Sequence, residues 1–324
     1  MPSLLICIFV SLMSLVIAKN ASTTIINEWP MILAHDAATT YLSEGIITNW
    51  YKTQPSVGMS GMLSCGVRAF DWRPFLQEDG TVYMHHANKI IKTPMTEAMD
   101  DILSWTAKNN NGAFDFVMLG ITACISFNNS HQNSACRTAV DQILKKRNIT
   151  VVSNNTLRTM TAADAAERGK LPSGGSMLAC HNCWEMHYNK SINCAGFGGN
   201  EKQTHEIIKK KESWSYTCYS DSSTKSYPLN RMWSYLNQVS VDGPPRDGRL
   251  YSAQALWQES VGDITVGTLH GSSLLKDESK SQLNSLLIDR ITTNKWNASK
   301  INMVEINNVC DGGVALKKVL DNLV

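Results

Sequence analysis

Short apolar runs alternate along the chain with longer stretches whose apolar positions recur every three or four residues. The runs Met31–Ala34, Val67–Asp71, Val82–His85, Phe116–Thr122, Ile149–Val152, Met177–Cys180, Ile264–Leu269 and Met303–Ile306 predict strands. The longer stretches Pro94–Lys108, Ala135–Lys146, Ala162–Arg168, Glu201–Lys211, Asp277–Thr292 and Gly313–Leu323 predict helices. The start at Thr93-Pro94-Met95-Thr96-Glu97 supplies a Thr cap, Pro at the first position and Glu at the third. Met95, Met99, Ile102 and Leu103 then share one face, which is ordinary core packing. Strands alternating with helices predict an α/β protein built as a parallel TIM-type (β/α)8 barrel, or a distorted version of one.

No internal repeat or Pro/Ser-rich linker divides the chain. The segment Asn182–Pro228 differs from the rest in its wealth of Cys, Asn, Ser, Tyr and Gly. It is expected to be a disulfide-stapled insertion at the barrel mouth or side. Asp242-Gly243-Pro244-Pro245-Arg246-Asp247-Gly248 reads as a surface loop from its turn residues.

Leu4–Ala18 is an apolar run ending in Val16-Ile17-Ala18, the pattern of a cleaved signal peptide over residues 1–18, although Met1-Pro2-Ser3 carries no basic residue. The run is short for a membrane span, and the C-terminal residues carry no lipid-attachment signal. Residues 19–324 are then the barrel domain. The mature part keeps Cys65, Cys124, Cys136, Cys180, Cys183, Cys194, Cys218 and Cys310. An even count in an oxidising compartment predicts disulfides, with Cys124–Cys136 as the local pair. Cys180-x-x-Cys183 with His181 is also a conceivable metal set, which the compartment argues against. Glycosylation sequons at Asn20, Asn128, Asn148, Asn154, Asn189 and Asn297 agree with an extracellular location. The net charge of +2 and the absence of a long basic block argue against a nucleic-acid partner.

Three segments carry the chemistry: Leu33-Ala34-His35-Asp36, Phe70-Asp71-Trp72-Arg73-Pro74 and Met84-His85-His86. Each ends an apolar run, and strand C-terminal ends are where parallel α/β folds assemble active sites. Two histidines with carboxylates and an arginine suit general acid–base cleavage of a phosphodiester, the guanidinium holding the phosphoryl oxygens. If so, the imidazoles should lie roughly 5–9 Å apart, enough to flank a phosphate. Alternation along Val82–His85 lets only one of His85 and His86 face such a site directly.

The order His-Asp, then Gly66-Val67-Arg68-Ala69-Phe70-Asp71-Trp72-Arg73, then His-His resembles the X domain of phosphatidylinositol-specific phospholipase C, closer to the bacterial, metal-independent branch. The motifs span Trp29 to Thr122. The resemblance implies His35 as general base on the inositol 2-hydroxyl and His86 as general acid. It implies Asp36 as the carboxylate that pairs with the acid and raises its pKa. It implies Arg73, anchored by Asp71, as the charge on the phosphoryl oxygens, where the calcium-dependent branch uses a metal. Glu305 would back His35, with Asp311 as competitor. Ala87 stands where the family usually has Gly. The headgroup residues are altered: Gly120-Ile121-Thr122-Ala123-Cys124 lacks the family's basic residue, and His181 stands in place of an arginine. Tyr219, Asp221 and Trp257 are further candidates for substrate binding. No cofactor or metal is implied. The expected partner is a phospholipid or GPI-type phosphodiester met at a membrane surface. The alternatives are a non-catalytic secreted lipid- or glycan-binding barrel, or a metal-dependent glycerophosphodiesterase. That second class normally shows His with Glu-x-Asp, where this chain has Phe70-Asp71-Trp72-Arg73.

Overall fold

A computed structural model describes residues 19–109, 115–128, 133–185, 229–256 and 261–323. Its strands, in chain order, begin with β1 (Met31–Ala34), β2 (Ala69–Trp72), β3 (Pro74–Leu76), β4 (Val82–His86), β5 (Lys89–Ile91) and β6 (Val117–Ile121). They continue with β7 (Ile125–Ser126), β8 (Thr150–Val151), β9 (Met177–His181), β10 (Trp184–Glu185), β11 (Leu250–Gln254) and β12 (Met303–Ile306). The main sheet runs β10-β11-β12-β1-β2-β6-β9-β8 with every neighbour parallel. Among the described residues no ladder joins β8 to β10 in this TIM-type α/β fold. A second sheet, β5-β4-β3-β7, sits beside it.

The central strands are buried on both sides, as parallel strands covered by helices must be. Alternation sorts their side chains into two sets. Ile32, Ala34, Phe70, Leu119 and Val304 pack outward in the cluster that includes the helices. Met31, Leu33, Ala69, Met118, Leu178, Leu250 and Met303 form a second, inner cluster. Two residues further along β1, β2, β11 and β12, the inner positions turn polar: His35, Asp71, Ser252 and Glu305. An apolar floor therefore carries a polar layer at the strand C-terminal ends.

Several elements differ from expectation. The predicted strand Ile264–Leu269 lies within a helix, Val261–Leu269. A short β-branched run does not distinguish strand from helix by pattern alone, and here Gly267 lies close against the Trp50 ring. The strand that fills the sheet is β11, whose Ser252 and Gln254 mask its apolar character. The helix expected over Asp277–Thr292 is two helices, Leu274–Ser281 and Leu283–Thr292, broken at Gln282 with φ 55°. Pro94 caps the helix Met95–Lys108 rather than opening it. Strand β4 belongs to the small second sheet, where it pairs antiparallel with β3 and β5, not to the barrel. Strand β10 pairs with β11, so Trp184 and Glu185 of the insertion expected over Asn182–Pro228 belong to the main sheet, and residues 186–228 lie outside the described residues. Residues 1–18 and the expected helix Glu201–Lys211 lie outside the described residues.

Disulfides join Cys65 to Cys310, Cys124 to Cys136 and Cys180 to Cys183. Cys194 and Cys218 lie outside the described residues. Among those residues no helix is long and apolar enough to cross a membrane.

Candidate active site

His35 follows β1 and is clamped by its own backbone. Its carbonyl accepts from Thr53 Oγ1 at 2.9 Å and from Gln54 Nε2 at 2.9 Å. The same Gln54 amide also donates to the Ile306 carbonyl at 3.0 Å, tying the ends of β1 and β12 together. Asp36 comes next with φ 44°, a left-handed conformation that Asp tolerates better than most residues. This turn aims its carboxylate back across the barrel mouth.

Three side chains converge on that carboxylate. Arg73 Nη1 lies 2.8 Å from Asp36 Oδ1, and both His86 Nε2 (3.1 Å) and His35 Nε2 (3.2 Å) approach Oδ2. Arg73 makes an ion pair with Asp36, each imidazole does so only when protonated, and none of the three contacts is a well-aligned hydrogen bond. The two imidazole centroids are 6.5 Å apart. His86 Nδ1 lies 2.8 Å from the Tyr51 carbonyl, so with Asp36 both its nitrogens face acceptors. Arg73 is anchored by Asp71, whose Oδ2 accepts from Nε at 3.0 Å and from Nη2 at 2.7 Å. Asp71 Oδ1 in turn accepts from Thr122 Oγ1 at 2.8 Å.

Electrostatics follow from burial and these contacts. Burial alone would raise the Asp36 carboxyl, but Arg73, then His86, His35 and His85, pull it down to about 2. Burial would lower the Arg73 guanidinium, yet Asp36 and Asp71 outweigh it and raise it. His86 runs against expectation. Burial is the largest influence and lowers its pKa; Asp36 raises it, Arg73 and His35 lower it, and the Tyr51 carbonyl raises it, with a net fall. Desolvation of the ring has beaten its carboxylate partner. Glu305 is raised, chiefly by burial, with His35 opposing.

The remaining candidates separate. His85 turns away, its ring nitrogens 3.0 Å from the carbonyls of Ala87 and Ala123. Ala87, where the resembling family has Gly, adopts φ 49°, a left-handed conformation that explains the usual glycine. Glu305 does not touch His35 Nδ1. It accepts from Ser252 Oγ at 2.7 Å and lies one layer deeper. The partner of Nδ1 is Asn307, whose Oδ1 accepts at 2.9 Å. Parallel register explains this: Leu33 pairs with Glu305, so the positions two further on, 35 and 307, are neighbours. Asp311 only closes a turn onto Asn308 with its backbone N–H. His181 pairs with Asp141 at 2.7 Å and does not line the cavity. Tyr219, Asp221 and Trp257 lie outside the described residues.

A cavity of about 330 Å³ opens beside the two histidines. Its polar lining includes Tyr51, Thr53, Thr268 and Asn307, and its apolar lining Ile46, Ile47, Trp50, Ile264 and Leu274. His35, Asp71 and Glu305 also bring one ligand atom each within 4.8 Å of one another. That set is already engaged by Arg73, Thr122 and Ser252.

His35 is buried at the strand ends of a parallel sheet, with His86 partly buried beside it, in a TIM-type α/β architecture. The chain shares this fold with bacterial phosphatidylinositol-specific phospholipases C. The Staphylococcus aureus enzyme carrying a pentafluoro-Phe aligns over 94% of each chain with TM-score 0.58 at 11% identity. Its F249X mutant aligns over 91% of each chain with TM-score 0.56 at 13% identity. The Listeria monocytogenes enzyme aligns over 95% of this chain and 97% of its own, with TM-score 0.54 at 10% identity. No family model and no curated protein matches the sequence.

Proposed function

We propose that this chain is a secreted phospholipase C-like phosphodiesterase that cleaves phosphatidylinositol or a related lipid phosphodiester without a metal. The observation that carries the reading is the single Asp36 carboxylate reached by His35, His86 and Arg73 beside an apolar-rimmed cavity. His35 takes the proton from a substrate hydroxyl as its oxygen bonds to phosphorus. His86 gives its proton to the leaving alkoxide as the other P–O bond breaks. Arg73 offers a fixed charge to the phosphoryl oxygens. On phosphatidylinositol the products are diacylglycerol and a cyclic inositol phosphate, and no covalent enzyme intermediate is needed.

The membrane contact falls to the cavity rim. Ile46 and Ile47 are 75% exposed and Leu269 80%, next to cavity residues Trp50 and Thr268. Clustered exposed apolar side chains at a pocket mouth suit a lipid surface. Three disulfides among the described residues, and exposed acceptor asparagines at the five described sequon positions, support secretion as a glycoprotein.

A second reading rests on the His35–Asp71–Glu305 set, which offers a metal-dependent diesterase its ligands. It would require a cation to displace Arg73 from Asp71, so we favour the first. Headgroup release from phosphatidylinositol, a GPI-anchored protein and glycerophosphoinositol, each with and without chelator, tests both. Release from a lipid substrate despite chelator is expected. Release that needs added metal supports the second reading, and no release from any of the three contradicts both.

A further inference from the structure

His35 reaches a neutral amide, Asn307, rather than a carboxylate at Nδ1. Asn307 lies in the loop after β12, is 1% exposed, and is held at both ends. Its Oδ1 faces His35 and its Nδ2 lies 3.5 Å from Oε2 of Glu278. Glu278 is itself 1% exposed, on the helix Leu274–Ser281. The backbone of the loop is fixed too: Asn284 Nδ2 donates to the carbonyls of Asn307 (3.1 Å) and Asn308 (3.3 Å).

An amide has one accepting and one donating end. A carboxyl oxygen beside Nδ2 sets which end faces Glu278, and so which end faces His35. With Oδ1 toward the ring, Nδ1 must carry the proton. The lone pair of neutral His35 is then on Nε2, the nitrogen beside Asp36 and the cavity, where a general base needs it. We infer that Glu278 and Asn307 are positioning residues that fix the tautomer of His35 through a Glu278–Asn307–His35 relay. In kinetic terms this rests on the phosphodiesterase reading; as a statement about the ring it does not.

The test is nitrogen-15 NMR of histidine-labelled full chain, with the His35 signals identified by their loss in His35→Asn. The expected result is a neutral His35 protonated on Nδ1 in the wild type. Asn307→Leu should shift it toward the Nε2-protonated form. Glu278→Gln, whose side-chain oxygen still accepts, should keep the wild-type tautomer, while Glu278→Leu should lose it. Turnover should follow: kcat falls at least about tenfold in Asn307→Leu with KM little changed, and stays near wild type in Glu278→Gln. A wild-type His35 protonated on Nε2, or an Asn307→Leu variant with the tautomer unchanged, overturns the relay. Retention of the wild-type tautomer in a folded Glu278→Leu removes Glu278 from it. A correct tautomer in a wild type that cleaves no phosphodiester overturns the functional reading and supports the relay.

Discussion

Asp36 is approached by an arginine and two imidazoles within 3.2 Å while almost fully buried. Its folded pKa of about 2 lies below its ordinary 3.8. The paired carboxylate therefore stabilises the fold above about pH 4, by roughly 2 kcal/mol, and that contribution is lost as pH falls through about 2. Asp36→Asn should flatten the acid end of the stability–pH curve measured by thermal melting; an unchanged acid limb would contradict the assigned ion pairs. His86 carries the second pH signature. Its lowered pKa makes the protonated ring a readier donor but a scarcer one. The alkaline limb of the kcat/KM profile should fall below the ordinary 6.5. A limb well above that value would assign the donor elsewhere. His35, Asp36, Arg73 and His86 were legible in the sequence because each directly ends a short apolar run. Asn307 was not, since an Asn after a strand looks like turn chemistry. Counting two residues from Glu305, as alternation requires, is the signal that finds it.

At the scale of elements, the motif glycine Gly66 has φ 103°, and a Cβ there would come within 2.8 Å of Lys317 Cβ and 2.9 Å of the Gly313 carbonyl. Gly66→Ala should lose roughly 1–3 kcal/mol of stability in denaturant unfolding, and a neutral result would contradict this packing. The segment around Ile46 and Ile47 is tied down by Lys52 Nζ to Glu44 at 2.5 Å and by Trp50 Nε1 to Thr268 Oγ1 at 2.8 Å. Replacing both isoleucines by Asp should weaken binding to phosphatidylinositol vesicles at least about tenfold while sparing cleavage of a short-chain soluble analogue. Equal loss on both substrates would place the effect in the cavity instead. Strands β1 and β12 could be read in the sequence to the residue because parallel strands buried on both sides are continuous apolar runs. Strand β11 could not, because its inward positions belong to the polar layer. The small sheet that delivers His86 was hidden for a related reason: a hairpin strand and a barrel strand have the same local pattern.

The whole molecule is closed by Cys65–Cys310, which spans 245 residues and joins the end of the helix Gly58–Ser64 to the loop after β12. It links the segment just before β2 to the loop holding Asn307. Replacing both cysteines by Ala should lower stability by about 2–5 kcal/mol, read by denaturant unfolding, and a loss near zero would show that packing alone holds these ends together. The alternation of strands and helices made the barrel class legible, whereas the order of the strands in the sheet depends on tertiary pairing that no local pattern carries. The proposed chemistry is cleavage of a phosphodiester by two histidines and a fixed guanidinium. Its most direct measurement is phosphatidylinositol headgroup release by the wild type, His86→Ala and Arg73→Lys, each with chelator and with added calcium. Wild-type turnover should be indifferent to either addition, and turnover should fall about a hundredfold or more in both variants, His86→Ala for want of a proton donor and Arg73→Lys because an ammonium does not reproduce the two-pronged guanidinium. Turnover abolished by chelator, restored by calcium and retained by Arg73→Lys would contradict it.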